Sequence, residues 1–324
     1  MKKKVSYINK IEFYLPKKIE KNIDILKMDN LRAKKLIKKI GIDSRHISNL
    51  DETSIDLGFK SALKILKNTK KNIDFLIFCT QTPNYLIPTN ACILQEKLSL
   101  PKDMGGIDII QGCSGYNYSL SYAQGLVESG QAKQVLIINS DVYSKFTNKN
   151  DYTTRILFGD GSASTIISNK KTIGSYLIIN SKMGTDGSGH KHLILENLGV
   201  KNHNNIKIGG DYIYMNGGKI FEFAARVVPL AINSLIKQEK INITKIDYFI
   251  FHQANQFIID HLKNKMKIPQ DKILIKLKKT GNTVSSSIPI TLKHFDNKIK
   301  KGSLVLLIGF GVGLSWGTTL LKKY

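Results

Sequence analysis

Three side chains stand where this chain can do nucleophilic or proton-transfer chemistry: Cys113, His252 and Asn282. Cys113 lies in Asp108-Ile109-Ile110-Gln111-Gly112-Cys113-Ser114-Gly115-Tyr116, between a β-rich run and a helical pattern. A thiol at a helix N-terminus meets unpaired N–H groups and the positive end of the helix dipole, and both favour thiolate. Gly112 and Gly115 let backbone and substrate approach closely. Free cysteine is otherwise a small buried hydrophobe. That reading suits Cys79, which ends an apolar run, and Cys92, in the apolar stretch Ala91-Cys92-Ile93-Leu94. At Cys113 the flanking glycines and the helix start favour a nucleophile. His252, in Phe251-His252-Gln253-Ala254-Asn255, directly follows an apolar strand pattern. Its ring can hydrogen-bond a substrate oxygen or move a proton, or it can be a satisfied core histidine; the local residues leave both open. Asn282, in Thr280-Gly281-Asn282-Thr283-Val284-Ser285-Ser286-Ser287-Ile288-Pro289, opens a helical pattern, where asparagine taken alone is most simply an N-cap.

Other candidates are weaker. His190-Lys191-His192 with Asp186 and Glu196 has metal-ligand residue types, but the segment is Gly-rich and reads as a solvated loop. His46, His203, His261 and His294 carry no signal. Gly309-Phe310-Gly311-Val312-Gly313-Leu314-Ser315-Trp316-Gly317 has the spacing of a phosphate loop but leads into a strand, so a dinucleotide fingerprint is rejected. A tight turn offering backbone N–H groups to a carbonyl oxygen fits better.

Elements that must position these residues follow from hydrophobic period. Strand patterns cover Ile73–Cys79, Gly106–Ile110, Gln134–Ser140, Ser162–Ser168, Ile173–Asn180, Ile246–Phe251, Leu304–Gly309 and Ser315–Leu321. Helical patterns cover Ser54–Lys67, Thr89–Leu98, Ser114–Ser129, Lys219–Lys237, Gln256–Met266 and Val284–Lys298. Apolar strands separated by helices predict an α/β protein with a buried, largely parallel sheet. The chain also repeats itself. Ile73-Asp74-Phe75-Leu76-Ile77-Phe78-Cys79 returns 173 positions later as Ile246-Asp247-Tyr248-Phe249-Ile250-Phe251-His252, and Val135-Leu136-Ile137-Ile138 returns 170 positions later as Val305-Leu306-Leu307-Ile308. Two matches in the same order imply two similar halves, 1–171 and 172–324. The offset sets Cys113 opposite Thr283, beside Asn282, each after a strand or turn and before a helix. His252 also ends a strand, and ligands of α/β sheets bind beyond the carboxyl ends of strands.

Composition narrows the class. The 324 residues are 42% hydrophobic and 23% charged, which suits a folded chain. No run approaches eighteen apolar residues, so a membrane-spanning helix is excluded, and the Lys-rich start lacks the apolar stretch of a signal peptide. Three cysteines without C-x-x-C spacing fit a reducing cytoplasm and no zinc ribbon. The net charge of +24 comes from 49 basic against 25 acidic residues. Only Arg32, Arg45, Arg155 and Arg226 are arginines, so the surplus reads as a lysine-rich background more than as phosphate-binding forks, and no nucleic-acid motif accompanies it.

Taken together, the segments resemble the β-ketoacyl-acyl carrier protein synthase III family of the thiolase superfamily, from about Val5 to Leu321. The resemblance rests on Gly41-Ile42-x-x-Arg45, Gly112-Cys113-Ser114-Gly115, Phe158-Gly159-Asp160-Gly161, Asp186-Gly187-Ser188-Gly189, His252-Gln253-Ala254-Asn255, Gly281-Asn282-Thr283 and Trp316-Gly317. It implies an α/β fold of five αβαβα layers built from two duplicated halves, a homodimer, and no cofactor beyond its thioester substrates. It also implies roles. Cys113 takes an acyl group from acyl-coenzyme A or acyl carrier protein, and the N–H groups of Cys113 and Val312 form the oxyanion hole. His252 and Asn282 hydrogen-bond the thioester carbonyl of malonyl-acyl carrier protein, stabilising the enolate as carbon dioxide leaves.

Departures from the family pattern gather at the substrate approach. Lys35 and Lys39 stand where similar enzymes carry Trp and Arg, Tyr152 stands for an Arg, and Phe257 stands for the Arg that contacts the carrier protein. Tyr152 is then the remaining aromatic platform for an adenine, Ile87 matches the residue a dimer partner contributes to the acyl pocket, and the chain reads as a specialised paralogue. Lys35, Lys39 and the Lys263/Lys265/Lys267 cluster suit an acidic carrier protein. The runner-up is a non-decarboxylating acyltransferase of the same fold, with an alcohol, amine or sugar as acceptor. A papain-like hydrolase lacks its local cysteine signature here, and a basic nucleic-acid module would not need Cys113.

Overall fold

The computed structural model describes residues 4–66, 72–199 and 210–324. Lys67, the predicted end of one helix, and His203 lie outside them. Nine strands form one sheet: β1 (Tyr7–Tyr14), β2 (Phe75–Cys79), β3 (Gly105–Ile109), β4 (Gln134–Asp141), β5 (Gly161–Ser168), β6 (Tyr176–Thr185), β7 (Tyr248–Phe251), β8 (Leu304–Gly311) and β9 (Ser315–Lys323). Their order is β7-β8-β9-β6-β1-β5-β4-β2-β3. Among the described residues seven helices of eight or more residues accompany them: α1 (Asn30–Ile40), α2 (Ser54–Ile65), α3 (Asn90–Leu98), α4 (Gly115–Ser129), α5 (Gly217–Gln238), α6 (Gln256–Lys265) and α7 (Ser287–His294). None of the helices among the described residues is long and apolar enough to cross a membrane.

The sheet is mixed, which corrects the largely parallel sheet expected from the strand–helix alternation. β2/β3, β2/β4 and β7/β8 are parallel, whereas β1/β5, β4/β5, β1/β6, β6/β9 and β8/β9 are antiparallel. Connection length explains this. Only Val312, Gly313 and Leu314 separate β8 from β9, and a parallel pair needs a crossover of a dozen or more residues. Either side of the short β1/β6 contact, strand order and sense run alike. The order β1-β5-β4-β2-β3 pairs antiparallel, antiparallel, parallel, parallel. The order β6-β9-β8-β7, extended by a parallel bridge from Phe249 to Ile273, does the same.

Burial follows sequence pattern. β4, Gln-Val-Leu-Ile-Ile-Asn-Ser-Asp, is buried from Val135 to Asp141, as a strand covered on both faces must be. α4 buries Tyr116, Leu120, Ala123 and Val127, one stripe at helical spacing. This stripe and Ile288 and Leu292 of α7 share one cluster with residues of β4 and β8. α2 and α3 belong to a second cluster, and α5 and α6 to a third that includes Cys113. The cluster shared by α4 and α7 is what brings the two predicted helix starts, near Cys113 and near Asn282, together.

Arg45 anchors the loops around Asn282. It is fully buried, with Nε donating to Asn22 Oδ1 (2.9 Å), one terminal nitrogen to the Phe158 carbonyl (3.2 Å) and the other to Glu20 (3.2 Å). Gly281, at φ +67°, leaves room for its Cγ. Arg45→Met is expected to lower the unfolding free energy in urea by about 3 kcal/mol, because two buried acceptors lose their donor.

Candidate active site

Cys113 sits in the turn between β3 and α4, one residue before the N-cap Ser114. Its Sγ rests against the end of β8: a Cβ built on Gly311 would lie 2.8 Å from it, which only glycine tolerates. The Val312 N–H and the N–H of Cys113 itself both point at the sulfur and favour thiolate. Burial outweighs them. The thiol is pushed up to about 12 by desolvation first, then by the charge of Asp141, so the helix start does not produce a resting thiolate. Alkylation of Cys113 by iodoacetamide is therefore expected to keep rising with pH beyond about pH 9, ten-fold per unit, read by peptide mass spectrometry against exposed Cys92.

The exposure of Cys92 corrects its reading as a buried hydrophobe. α3 turns Ala91 and Leu94 inward and Cys92 outward, its sulfur 3.0 Å from Thr89 Oγ1. Cys79 is buried as expected.

His252 follows β7. Its N–H donates to the Ile308 carbonyl (2.6 Å), which places it beside Gly309, and Gly309 in turn lies against Ser114 Cα and the Cys113 carbonyl. The imidazole meets the Phe310 ring edge-on at 5.8 Å. Nδ1 lies 2.7 Å from Ser287 Oγ, and Nε2 is buried without a protein partner. Burial, partly offset by the Val284 carbonyl, lowers the ring's pKa to about 3, so the imidazole is neutral. The Gln253 side chain pins this loop, donating to the Phe251 carbonyl and accepting from the Lys276 N–H.

Asn282 is not the N-cap of a helix. Its Oδ1 accepts from the Val284 N–H (2.9 Å) in a local turn, α7 begins only at Ser287, and the main chain is held by bonds to Leu157 and Gly159. Because Oδ1 takes that N–H, the amide end left for a ligand is Nδ2, a donor. Ser285, three residues on, packs against Gly115 at the start of α4. Thus β8, α4 and the 282–287 turn bring the segments that carry Cys113, His252 and Asn282 together at the carboxyl ends of strands. Among the described residues no cluster of metal-ligating side chains exists, and His190 and His192 form none.

Pattern reading passed over Asp141, Tyr143 and Gln81. Asp141, fully buried at the end of β4, accepts from the Gln81 N–H (2.8 Å), Thr80 and the Ser285 hydroxyl (2.8 Å), tying the loop after β2 to the Asn282 turn. Desolvation raises its pKa to about 7. The Tyr143 hydroxyl donates to Gln81 Oε1, and both line a mainly apolar pocket of about 210 Å³ with Val312, Ile110 and Leu193. The one signal available was an Asp directly after the strand pattern Gln134–Ser140.

The predicted substrate-approach residues divide. Lys39 Nζ lies 4.8 Å over the Phe257 ring, which stacks on Phe221. Lys35 is exposed one turn earlier on α1. Tyr152 is half-buried against the Cys113 cluster, and Ile87 stands 88% exposed beside exposed Tyr85 and Leu86. Lys263 and Lys265 are tied to Gln270 and to the Ala225 carbonyl. On the adjoining side of α1, a groove of about 830 Å³ is lined by Lys21, Lys34, Lys38, Lys278 and Lys279, with Asp43 bridging Lys278.

Family models describing the 3-oxoacyl-[acyl-carrier-protein] synthase III domain and its C-terminal domain match residues 107–187 and 236–323. β-Ketoacyl-[acyl-carrier-protein] synthase III of Clostridium perfringens is 35% identical over 316 residues, covering 95% of this chain and 96% of its own. The crystal structure of the Thermus thermophilus β-ketoacyl-[acyl carrier protein] synthase III superposes with a TM-score of 0.88 at 31% identity, covering 97% of this chain and 98% of that one. Xanthomonas campestris OleA, at 15% identity and TM-score 0.87 over 99% of both chains, shares the fold. With the architecture and near full-length similarity in agreement, the chain belongs to the β-ketoacyl-[acyl-carrier-protein] synthase III family of the thiolase superfamily.

Proposed function

We propose that the chain carries out the decarboxylating condensation of its family: an acyl group held on Cys113 joins a malonyl thioester, giving a β-ketoacyl thioester and carbon dioxide, in fatty acid biosynthesis. The observation that carries this reading is the pairing of a thiol flanked by two N–H groups with two neutral donors. The Cys113 sulfur attacks the donor thioester carbonyl, the N–H groups of Cys113 and Val312 hold the oxyanion, and the donor thiol leaves with a proton. His252 Nε2 and Asn282 Nδ2 then bind the malonyl thioester oxygen. As the carboxylate departs, the electron pair it leaves becomes the enolate those donors stabilise, and the enolate carbon attacks the acyl-Cys113 carbonyl, expelling the Cys113 thiolate, which takes a proton from solvent. A transferase that moved acyl groups to an alcohol or amine would need a base to take the acceptor's proton, and a neutral histidine held far below its usual pKa is a poor one. Intact-mass measurement after mixing with acyl-coenzyme A and acyl carrier protein tests the first half: one acyl adduct per chain is expected, and none with any donor would overturn the reading.

The repeated strand order supports two similar halves, 1–171 and 172–324, and the three clusters support five layers with α4 and α7 in the middle. The open edge of β3, with Ile110, Tyr85, Leu86 and Ile87 exposed nearby, supports a homodimer through that edge. For an acidic carrier protein, Lys35 and Lys39 with the lysine groove beside them join the Lys263/Lys265/Lys267 cluster, of which Lys263 and Lys265 are already hydrogen-bonded within the chain. Lys35→Glu with Lys39→Glu is expected to raise KM for carrier-bound substrate about ten-fold at low salt while leaving coenzyme A donors within about two-fold, in steady-state assays. Such a split also fits specialised donor recognition.

A further inference from the structure

We propose that Ser287, the first residue of α7, is a positioning residue that holds His252 in the tautomer with its proton on Nε2, by donating its hydroxyl proton to Nδ1. The inference rests on the function proposed above for its consequence, though not for the tautomer itself. Ser287 is 2% exposed, and its Oγ lies 2.7 Å from His252 Nδ1. The Gln253 N–H also donates to that oxygen (3.4 Å), so a lone pair is already engaged and the hydroxyl hydrogen is free to face the ring. Among the described residues the Ser287 hydroxyl bonds nothing beyond His252 Nδ1 and the Gln253 N–H. The opposite tautomer would make Ser287 Oγ accept twice and strand its own hydrogen without an acceptor in a buried site. It would also turn a bare Nε2 lone pair toward the oxygen that the ring must bind, replacing attraction by repulsion. Because the imidazole is neutral, the hydrogen bond at Nδ1 decides which end donates, and it outweighs the Val284 backbone, whose contact favours a protonated ring.

One short segment therefore sets both donors. Val284 N–H orients the Asn282 amide, and Ser287 Oγ orients the His252 ring. Each fixes its partner through the atom that the substrate does not use.

The test is ¹⁵N NMR of histidine-labelled protein, with the His252 signal among seven histidines identified by its loss in His252→Gln. Wild type is expected to show protonated Nε2 and bare Nδ1. Ser287→Ala, which removes one oxygen and is checked for an unchanged fold by circular dichroism, is expected to shift the ring toward the other tautomer. Malonyl decarboxylation should fall on the order of a hundred-fold while acylation of Cys113 keeps its rate. Ser287→Thr, which keeps the hydroxyl, should restore the wild-type tautomer. A bare Nε2 in the wild type, or an unaltered tautomer in Ser287→Ala, overturns the proposal. If the wild type released no carbon dioxide, the proposed function would fall, while the tautomer signals would still decide the role of Ser287.

Discussion

Cys113→Ala is expected to abolish acyl transfer, with condensation falling roughly 10⁴-fold or more and no acyl adduct detectable by intact mass. The size of the effect follows from geometry. Among the described residues Cys79 and Cys92 are the other thiols: Cys79 bonds the Gln111 carbonyl from the core, and Cys92 is exposed on α3. Neither meets the N–H groups of Cys113 and Val312, so neither can take over. Cys113→Ser should not rescue, since a buried hydroxyl is harder to deprotonate than a thiol already pushed to about 12. An adduct that persisted in Cys113→Ala would place the nucleophile elsewhere.

The second large effect belongs to the pair of donors. His252→Ala is expected to slow malonyl decarboxylation on the order of 10²- to 10³-fold, about 3 kcal/mol of lost enolate stabilisation, and Asn282→Ala by a similar factor. Acylation of Cys113 should proceed in both, because the oxyanion donors of that half-reaction are backbone groups. The double variant should lose less than the product of the two, since both donors bind one oxygen. The His252-dependent rate should also show no limb near pH 6.5: with its pKa lowered to about 3, the ring stays neutral and donating throughout the usual working range. The same lowering carries a stability consequence. Between about pH 3 and 6.5 the unfolded chain binds a proton at His252 that the folded chain does not, so this residue's contribution to stability falls as pH drops through that window.

The candidate site was legible in the sequence because its residues are tied to glycine turns and strand ends. Gly112-Cys113-Ser114-Gly115 and Phe251-His252-Gln253-Ala254-Asn255 sit where an apolar run stops, and strand ends are where backbone geometry exposes side chains to a cleft. Two matched strands at nearly equal offsets also anticipated the like order of strands on either side of β1 and β6. Elements with mixed faces were not legible. β1, Tyr-Ile-Asn-Lys-Ile-Glu-Phe-Tyr, carries Asn, Lys and Glu, yet it lies in mid-sheet, with a register shift between Ile8 and Lys10 that lets Asn9 and Lys10 reach the surface. α1 is so rich in lysine that only Ala33 and Ile40 are buried, and its bounds come from local chemistry: Asp29 accepts from the Leu31 and Arg32 N–H groups, and Gly41 closes the helix at φ +75°. Strand sense was misjudged because apolar content reports burial and not direction. Asp141, Tyr143 and Ser287 were missed because each acts through a partner distant in sequence.

The measurement that bears most directly on the central claim is carbon dioxide release in a single turnover. Wild-type enzyme first loaded with an acyl group on Cys113 is mixed with malonyl-acyl carrier protein labelled in its free carboxyl carbon. One equivalent of labelled carbon dioxide, together with a β-ketoacyl carrier protein and an unloaded Cys113, is the predicted result. Loss of the acyl group to an added alcohol or amine, with the label still in malonyl carrier protein, would contradict it.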